Sequence, residues 1–322
     1  MAKIAVEFKQ DVAQRAARGA ATGRPVSSVL AHGEGWRAAD LICTSGPQDR
    51  PFEEQHSRVS IAIVLAGTFQ YRAANNGRTS ELMTPGSLLL GNAGQYFECG
   101  HDHGAGDRCL SFSYTPDYFE QIAADAGTRR GERVFRMLRL PSTRALSPLV
   151  AQVSARLAGD FGGTHECTPG ISWEELGIRL AASVIHLAND APRDLRVALP
   201  SQVARVTRSV RIIEQNSESE LTLRRLAREA KLSPYHFLRC FQQLIGVTPH
   251  QYLLRVRLRD AATRLATEPG KVLDIALDCG FGDVSNFNRA FRREFGMSPQ
   301  RFRRNGLPLV PGETRIWSRN LA

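Results

Sequence analysis

The sequence lacks a long apolar run, a leader-like N-terminus and a dense set of cysteines. Its best apolar run, residues 61–67, has the length of a strand, whereas a membrane helix needs about twenty apolar residues. Residues 1–20 mix acids and bases without an apolar h-region, so we expect neither a signal peptide nor a membrane partner. The cysteines are too scattered for a small secreted disulfide framework, which favours reduced thiols in a cytoplasmic chain. They are Cys43, Cys99, Cys109, Cys167, Cys240 and Cys279.

Acidic residues are scarce in the C-terminal part. Residues 1–200 hold 21 basic and 21 acidic side chains, whereas residues 201–322 hold 21 basic and 11 acidic ones. The whole formal charge of +10 therefore belongs to the second segment. Because a polyanion attracts such a surface, the asymmetry points to a C-terminal part that meets a polyanion. The alternative is a basic face that is only solvated.

The N-terminal part has the pattern of short strands followed by helices. Residues 59–65 and 68–72 are apolar or alternating, and an Asn-Asn-Gly turn follows at 75–77. Short strands at this spacing predict a small barrel or sandwich. From about residue 145 the apolar period becomes helical.

A capping box, formed by Ser172 and Glu175, predicts the start of a helix with one apolar stripe. This stripe either packs on its own barrel or forms a dimer interface. Residues 191–200 contain two prolines and no helical period, which indicates a linker. The candidates for the dimer interface are Trp173, Leu176, Leu180, Val184 and Leu187.

The C-terminal part contains an internal repeat with an offset of 50 residues. Arg239-Cys-Phe241 recurs as Arg289-Ala-Phe291, and Gly246-Val-Thr-Pro249 recurs as Gly296-Met-Ser-Pro299. Further upstream the offset becomes 49. An indel in a turn between two helices would shift the offset by one in this way.

Each copy has the pattern of a helix-turn-helix. In the first copy, Ser233 offers an N-cap and Pro234 a first helical residue for the second helix. In the second copy, Gly280 suits a left-handed turn and Asp283 caps the next helix. Lys231 occupies the position of Gly280, and we expect a left-handed lysine there to cost about 1 kcal/mol.

The second helix of each copy has an apolar side and a polar side. The polar sides carry the residue types that read base edges in a major groove, namely Arg for guanine, Asn or Gln for adenine, and apolar groups for the thymine methyl. Any soluble helix has a polar face, so the duplicated pattern carries the prediction rather than any single side chain. The base-reading candidates are Tyr235, His236, Leu238, Arg239, Gln242, Ser285, Asn286, Asn288, Arg289 and Arg292.

A continuous helical pattern over residues 248–267 joins the two copies and predicts a helix of about 30 Å. One turn of B-DNA measures about 34 Å, so one chain would reach two successive major grooves. The two half-sites would then be unlike each other and arranged head to tail. Candidates for phosphate contacts, which set register without reading sequence, are Ser233, Arg255, Arg257, Arg293, Arg301, Arg303 and Arg304.

Residues 205–304 resemble the DNA-binding domain of the AraC/XylS family of bacterial transcription regulators. The most specific segment is residues 275–299, with its Gly-Phe turn, a Phe-x-Arg-x-Phe run and a closing Gly-x-Ser-Pro. The resemblance implies an N-terminal cupin-like barrel that senses a small molecule and dimerises. Lys231 and Leu238 depart from the small and polar residues that are usual in the family.

The predicted fold is therefore multidomain. A β-rich cupin-like barrel with C-terminally appended helices occupies residues 1–190, and a linker occupies 191–204. An all-α domain with two helix-turn-helix units joined by a long helix occupies 205–304, and a tail occupies 305–322. The resemblance implies a sequence-specific regulator, more often an activator, that binds double-stranded DNA and RNA polymerase, forms a homodimer and is neither an enzyme nor dependent on a cofactor.

A cluster of Cys and His at residues 97–109 leaves other chemistry open. A catalytic cupin centre would use His101, His103 and Asp107, but no second motif supplies a later His. A tetrahedral site for zinc or another transition metal would use Cys99, His101, His103 and Cys109. The remaining alternatives are a polar cluster without metal and a thiol switch between Cys99 and Cys109. A metal- or thiol-dependent sensor or metalloenzyme module fused to the DNA-binding domain is thus the alternative function.

Overall fold

The computed structural model describes residues 23, 25–73, 80–127, 135–161, 171–190 and 199–305. Ten strands and ten helices lie within these residues. The strands are β1 (Pro25–Gly33), β2 (Trp36–Cys43), β3 (Phe52–Gln55), β4 (Val59–Gly67), β5 (Phe69–Ala73), β6 (Glu81–Met83), β7 (Leu88–Gly91), β8 (Tyr96–Gly100), β9 (Asp107–Tyr114) and β10 (Arg139–Leu140). The helices are α1 (Pro116–Asp125), α2 (Ser147–Phe161), α3 (Trp173–Asp190), α4 (Pro200–Gln215), α5 (Leu223–Glu229), α6 (Pro234–Ile245), α7 (Pro249–Thr267), α8 (Val272–Asp278), α9 (Val284–Phe295) and α10 (Pro299–Asn305).

The strands form two antiparallel sheets that face each other. The six-stranded sheet has the order β1-β2-β9-β4-β7-β10, and the four-stranded sheet has the order β3-β8-β5-β6. A core between the sheets includes Val64 and Cys109 from the first sheet and Phe69 and Tyr71 from the second. This arrangement agrees with the barrel predicted from the turn-separated apolar segments.

The other face of the six-stranded sheet packs against α1, α2 and α3 through a separate apolar core. Phe112 of β9 lies against Trp173 of α3, with 6.1 Å between the ring centroids. Tyr114 donates a hydrogen bond of 2.7 Å to the carbonyl oxygen of Gly177. The helices that follow the barrel in sequence therefore complete its domain.

Of the two alternatives for the apolar stripe of α3, the structure shows packing on the chain's own barrel rather than a dimer interface. Trp173, Leu176, Leu180 and Val184 are each at most 6 % exposed and belong to the core on the outer face of the sheet. Leu187 is partly buried and packs against the same core. The helix does begin at the predicted capping box, since the amide of Glu175 donates to Ser172 Oγ.

The C-terminal helices form two small cores, one for each copy of the repeat. The first core unites α4, α5, α6 and the start of α7, and the second unites the end of α7 with α8, α9 and α10. The predicted fold class, a β-rich N-terminal domain followed by an all-α domain, is confirmed.

Two of the predicted domain boundaries lie at or beyond the limits of the described residues. Most of the predicted linker, residues 191–198, lies outside the described residues, and α4 begins at Pro200 within its last part. The predicted tail lies outside the described residues beyond Asn305, the last residue of α10. Among the described helices, none is both long and apolar enough to cross a membrane.

Candidate nucleic-acid interface

The two helix-turn-helix units are built in the same way. In the first, α5 and α6 are joined by a turn in which the amide of Leu232 donates to the carbonyl oxygen of Ala227 at 3.0 Å. In the second, α8 and α9 are joined by a turn in which the amide of Phe281 donates to Ala276 at 3.1 Å. The small side chains of the two alanines are buried where the helices approach each other.

The second helix of each unit begins at the predicted cap. Ser233 Oγ accepts from the amide of His236, and Pro234 is the first residue of α6. Asp283 Oδ1 accepts from the amide of Asn286 at 2.7 Å and starts α9. These bonds satisfy amides that have no partner within the helix and fix the direction in which each helix leaves its turn.

Lys231 adopts the left-handed conformation predicted from its alignment with Gly280. Its φ is 53°, and it is the one non-glycine residue with positive φ among the described residues, while Gly280 has a φ of 84°. A Cβ in this region meets the following carbonyl, which costs about 1–2 kcal/mol. The first turn therefore carries strain that the second turn avoids.

Lys231→Gly is expected to raise the free energy of unfolding by about 0.5–1 kcal/mol, because relief of the left-handed strain exceeds the extra unfolded-state entropy of glycine. Urea unfolding of the full chain measures the change. Lys231→Ala keeps the Cβ and should gain nothing from this source. An equal gain in both variants would assign the effect to the lysine side chain instead.

The polar faces of α6 and α9 are exposed. Tyr235 is 71 % exposed on α6, and Arg289 is exposed on α9. Of the ten base-reading candidates only Leu238 is partly buried, because it lies beside the apolar side of α6. The opposite sides are buried and aromatic, with Phe237 and Phe241 in the first unit and Phe287, Phe291 and Phe295 in the second. The exposed candidates are Tyr235, His236, Arg239, Gln242, Ser285, Asn286, Asn288, Arg289 and Arg292.

The helix that connects the units, α7, is continuous over 19 residues. At 1.5 Å per residue its length is about 28 Å, close to the 34 Å of one turn of B-DNA. Its start is fixed by a capping box of Thr248 and Gln251. The apolar side chains of α7 contribute to the cores of both units, so this helix sets the distance between α6 and α9.

The guanidinium groups of two phosphate candidates bind carbonyl oxygens within the protein. Arg255 Nη1 donates to the carbonyl oxygen of Ser142, and its Nε lies 3.3 Å from Glu294 Oε1. Arg257 donates from Nε to the carbonyl oxygen of Ser217 and from Nη2 to that of Ser219. These guanidinium groups link α7 to other segments of the chain. The prediction that Arg255 and Arg257 contact phosphate is therefore wrong.

The other phosphate candidates remain predictions. Ser233 is exposed but uses its hydroxyl oxygen as a helix cap, where the adjacent amides form a site that favours an anion. Arg303 is partly buried. The exposed arginines that remain available to a duplex are Arg293, Arg301 and Arg304.

Comparison with known proteins agrees with both halves of this architecture. Residues 226–305 match the family model of a helix-turn-helix domain, and residues 40–168 match that of an AraC-like ligand binding domain. The two matches occur in the order expected for one regulator family. The chain belongs to the AraC/XylS family.

The relatives resemble the chain over its DNA-binding part. The probable transcriptional regulator LumQ of Photobacterium leiognathi is 43% identical over 91 residues, 28% of this chain and 36% of the relative. The transcriptional activator RhaS of Klebsiella pneumoniae is 38% identical over 100 residues, 31% of this chain and 36% of the relative. The DNA-binding domain of AdpA, solved with a target DNA, is 29% identical, and the match covers 31% of this chain and 90% of that one with a TM-score of 0.30. The matched segment thus spans about a third of the length of these two regulators.

The N-terminal domain contacts both helix-turn-helix units. Arg139 of β10 donates to the carbonyl oxygens of Leu244 and Ile245 at the end of α6, at 3.0 and 3.2 Å. On the other unit, Ser147 of α2 donates to Glu294 of α9. These contacts join residues more than 100 positions apart. No local sequence pattern predicts them.

The loop with the Cys and His residues is not assembled as predicted. Among the described residues, the group with metal-ligand spacing is Cys43, His101 and Asp107. Of the predicted ligands only His101 belongs to it, because Cys99 lies in the core between the sheets and His103 follows in a loop. The predicted set of Cys99, His101, His103 and Cys109 is therefore wrong, and so is the catalytic set with His103.

Burial and the neighbouring polar groups together set the pKa values of His101, Cys99 and Cys109. Burial lowers the pKa of His101, but hydrogen bonds to Asp107 and Cys43 outweigh it and bring the pKa to about 9. Burial raises the pKa of Cys99 and of Cys109, and neighbouring Asp107 adds to the effect. A redox switch needs an accessible thiolate of low pKa, so the proposed Cys99–Cys109 switch does not fit this structure.

Cys43 was not among the candidate ligands predicted from the sequence, whereas Asp107 was a candidate only in the catalytic set. Cys43 lies on β2, and its strand partner in β9 is Asp107. No spacing pattern links the two, since 64 residues separate them. The signal that was present is the alternation along β9, which places Asp107 and Cys109 on one face.

Proposed function

We propose that the protein is a sequence-specific DNA-binding transcription regulator whose N-terminal domain receives a small-molecule effector. The observation that carries this proposal is the duplicated unit, in which α6 and α9 expose the predicted base-reading side chains at the two ends of one continuous helix. The charge excess of +10 in residues 201–322 supplies attraction to a polyanion. The named relatives are regulators, and RhaS is named as an activator, so we propose activation.

We further propose that the protein binds RNA polymerase, forms a homodimer and is located in the cytoplasm. With the stripe of α3 buried in one chain, a dimer would use another surface. We propose that the chain acts by binding DNA and does not catalyse a reaction. The relatives support this, because they are named as transcriptional regulators. The alternative was a metal- or thiol-dependent sensor or metalloenzyme module. We do not favour it, because its predicted ligands, apart from His101 and, in the catalytic set, Asp107, do not belong to the group that has metal-ligand geometry.

Selection of bound sites from random duplex DNA by the full chain tests the proposal. We expect two unlike half-sites, head to tail, with centres about one helical turn apart. Inserting five base pairs between them should weaken binding at least tenfold, because α7 fixes the separation of α6 and α9. Binding that needs only one half-site, or that ignores the insertion, would contradict the two-groove geometry, and the absence of duplex binding at low salt would sink the proposal.

Arg289→Ala is expected to weaken binding to the selected site by about 1–3 kcal/mol and to relax base choice at one position. The reason is that Arg289 is exposed on the polar side of α9, the side that we propose faces the groove. Binding competition between single-base variants of the site measures both effects. Arg301→Ala, at an exposed phosphate candidate on α10, should instead weaken all sequences about equally and reduce the salt dependence. A uniform loss in Arg289→Ala would assign that arginine to phosphate.

A further inference from the structure

Three side chains of different chemistry meet at one end of the interior between the two sheets. One ligand atom from each of Cys43, His101 and Asp107 lies within 4.8 Å of the others. All three residues are buried, with exposed fractions of 4 %, 4 % and 6 %. We propose that this cluster binds a divalent transition-metal ion of the zinc type.

Strand register assembles the cluster. Cys43 and Asp107 are paired directly across β2 and β9, and His101 follows the last residue of β8. His101 Nε2 lies 2.6 Å from Asp107 Oδ1. On the other oxygen of the same carboxylate, Cys109 Sγ donates at 3.3 Å. The second contact holds the orientation of Asp107, as partners of metal-binding carboxylates commonly do.

The donor set selects the class of ion. A thiolate and an imidazole favour zinc and similar transition metals, whereas Mg²⁺ and Ca²⁺ prefer oxygen ligands alone. Three protein ligands leave one position of a tetrahedral ion for water or for an atom of a small molecule. Coordination forms one bond each from sulfur, nitrogen and oxygen, and the proton of the Cys43 thiol and the proton shared by His101 and Asp107 pass to solvent.

The site adjoins the DNA-binding half of the chain. His101 lines a crevice together with Thr68 of the barrel and Thr207 of α4. Two residues further along the same loop, the carbonyl oxygen of His103 accepts a hydrogen bond of 3.0 Å from Arg211 of α4. An ion that fixes His101 therefore also fixes the loop that holds α4. This consequence rests on the proposed function, whereas the metal site itself does not.

Titration of the chelator-treated full chain with Co²⁺ and then Zn²⁺ tests the site. We expect one equivalent of Co²⁺ with a sulfur-to-cobalt charge-transfer band, displaced by one equivalent of Zn²⁺. Cys43→Ser should abolish the band and weaken zinc binding at least tenfold, and Asp107→Asn should weaken it at least tenfold while retaining the band. Far-UV circular dichroism shows that each variant is folded before it is titrated.

His103→Ala is the matched control, because His103 lies in the same loop but outside the cluster. It should bind zinc with the affinity of the unsubstituted chain. The proposal is overturned if the unsubstituted chain binds less than one equivalent, if bound Co²⁺ shows no thiolate band, or if His103→Ala loses as much affinity as Cys43→Ser.

DNA affinity of the same preparations, with and without zinc, tests the consequence for α4. We expect a change of at least threefold in the dissociation constant of the selected duplex, and no change in Cys43→Ser. Zinc binding without any change in DNA affinity would overturn the coupling and leave the metal site standing. Zinc binding by a chain that binds no duplex in either state would instead overturn the proposed function alone.

Discussion

Arg108→Leu is expected to lower the free energy of unfolding by about 3–5 kcal/mol. Arg108 and Asp40 form a buried ion pair on neighbouring strands β9 and β2, with side chains only 2 % and 3 % exposed. Arg108 donates to the two oxygens of Asp40, from Nε at 3.0 Å and from Nη2 at 2.7 Å. Removing the guanidinium leaves a carboxylate buried without its cation, and this is the source of the large cost.

Urea unfolding of the full chain, followed by a signal from the N-terminal domain, measures this loss. Arg72→Ala is the matched control, since the Arg72–Glu98 pair also joins neighbouring strands but its side chains are 44 % and 29 % exposed. It should cost at most about 1 kcal/mol. Replacing both Arg108 and Asp40 by leucine should recover much of the loss, because neither member of the pair is then left as an unpaired buried charge. Similar losses in Arg108→Leu and Arg72→Ala would contradict the role of burial.

Gly280→Ala is expected to destabilise the second helix-turn-helix unit by about 3 kcal/mol and to weaken binding of the selected duplex about 100-fold. Gly280 has a φ of 84°, where a side chain costs about 1–2 kcal/mol. In addition, its Cβ would lie 2.6 Å from the carbonyl oxygen of Glu218, so the turn or the chain before α5 must shift. We expect a shifted turn to move α9 relative to α6, so that the two helices would no longer match the two successive grooves that we propose they enter.

Gly296→Ala separates the effect of contact from that of backbone conformation. Gly296 ends α9 with a φ of 76°, but a Cβ there meets no atom within 4 Å. It should cost about 1 kcal/mol of stability and change DNA affinity less than threefold. Binding to the selected duplex and thermal unfolding of the full chain measure both variants. Equal losses at the two glycines would show that the contact with Glu218 is unimportant.

The repeat, the caps and the turns were predictable because each depends on residues close together in sequence. Ser233 and Asp283 cap the helices that follow them, and Lys231 takes the left-handed conformation that its alignment with Gly280 requires. The apolar period likewise predicted which sides of α6 and α9 are buried. The sites of DNA contact stay predictions.

The errors concern side chains whose surroundings come from distant parts of the chain. The stripe of α3 suits a dimer interface and a barrel equally well in sequence, and it is the outer face of the six-stranded sheet that covers it. Arg255 and Arg257 have the composition of phosphate-binding residues, yet Ser142 and the residues after α4 provide carbonyl oxygens that bind them. The position of an arginine in the sequence does not show whether its guanidinium group binds a carbonyl oxygen of the protein or a phosphate of DNA.

The sequence by itself determined the two-part organisation and the duplicated DNA-binding unit, since hydrophobic period, caps and turn residues act within a few positions. The tertiary structure decided which polar side chains remain available to a partner. It paired Cys43 with Asp107 through the register of β2 and β9 and brought His101 to them, because strand pairing joins residues without regard to their separation in sequence.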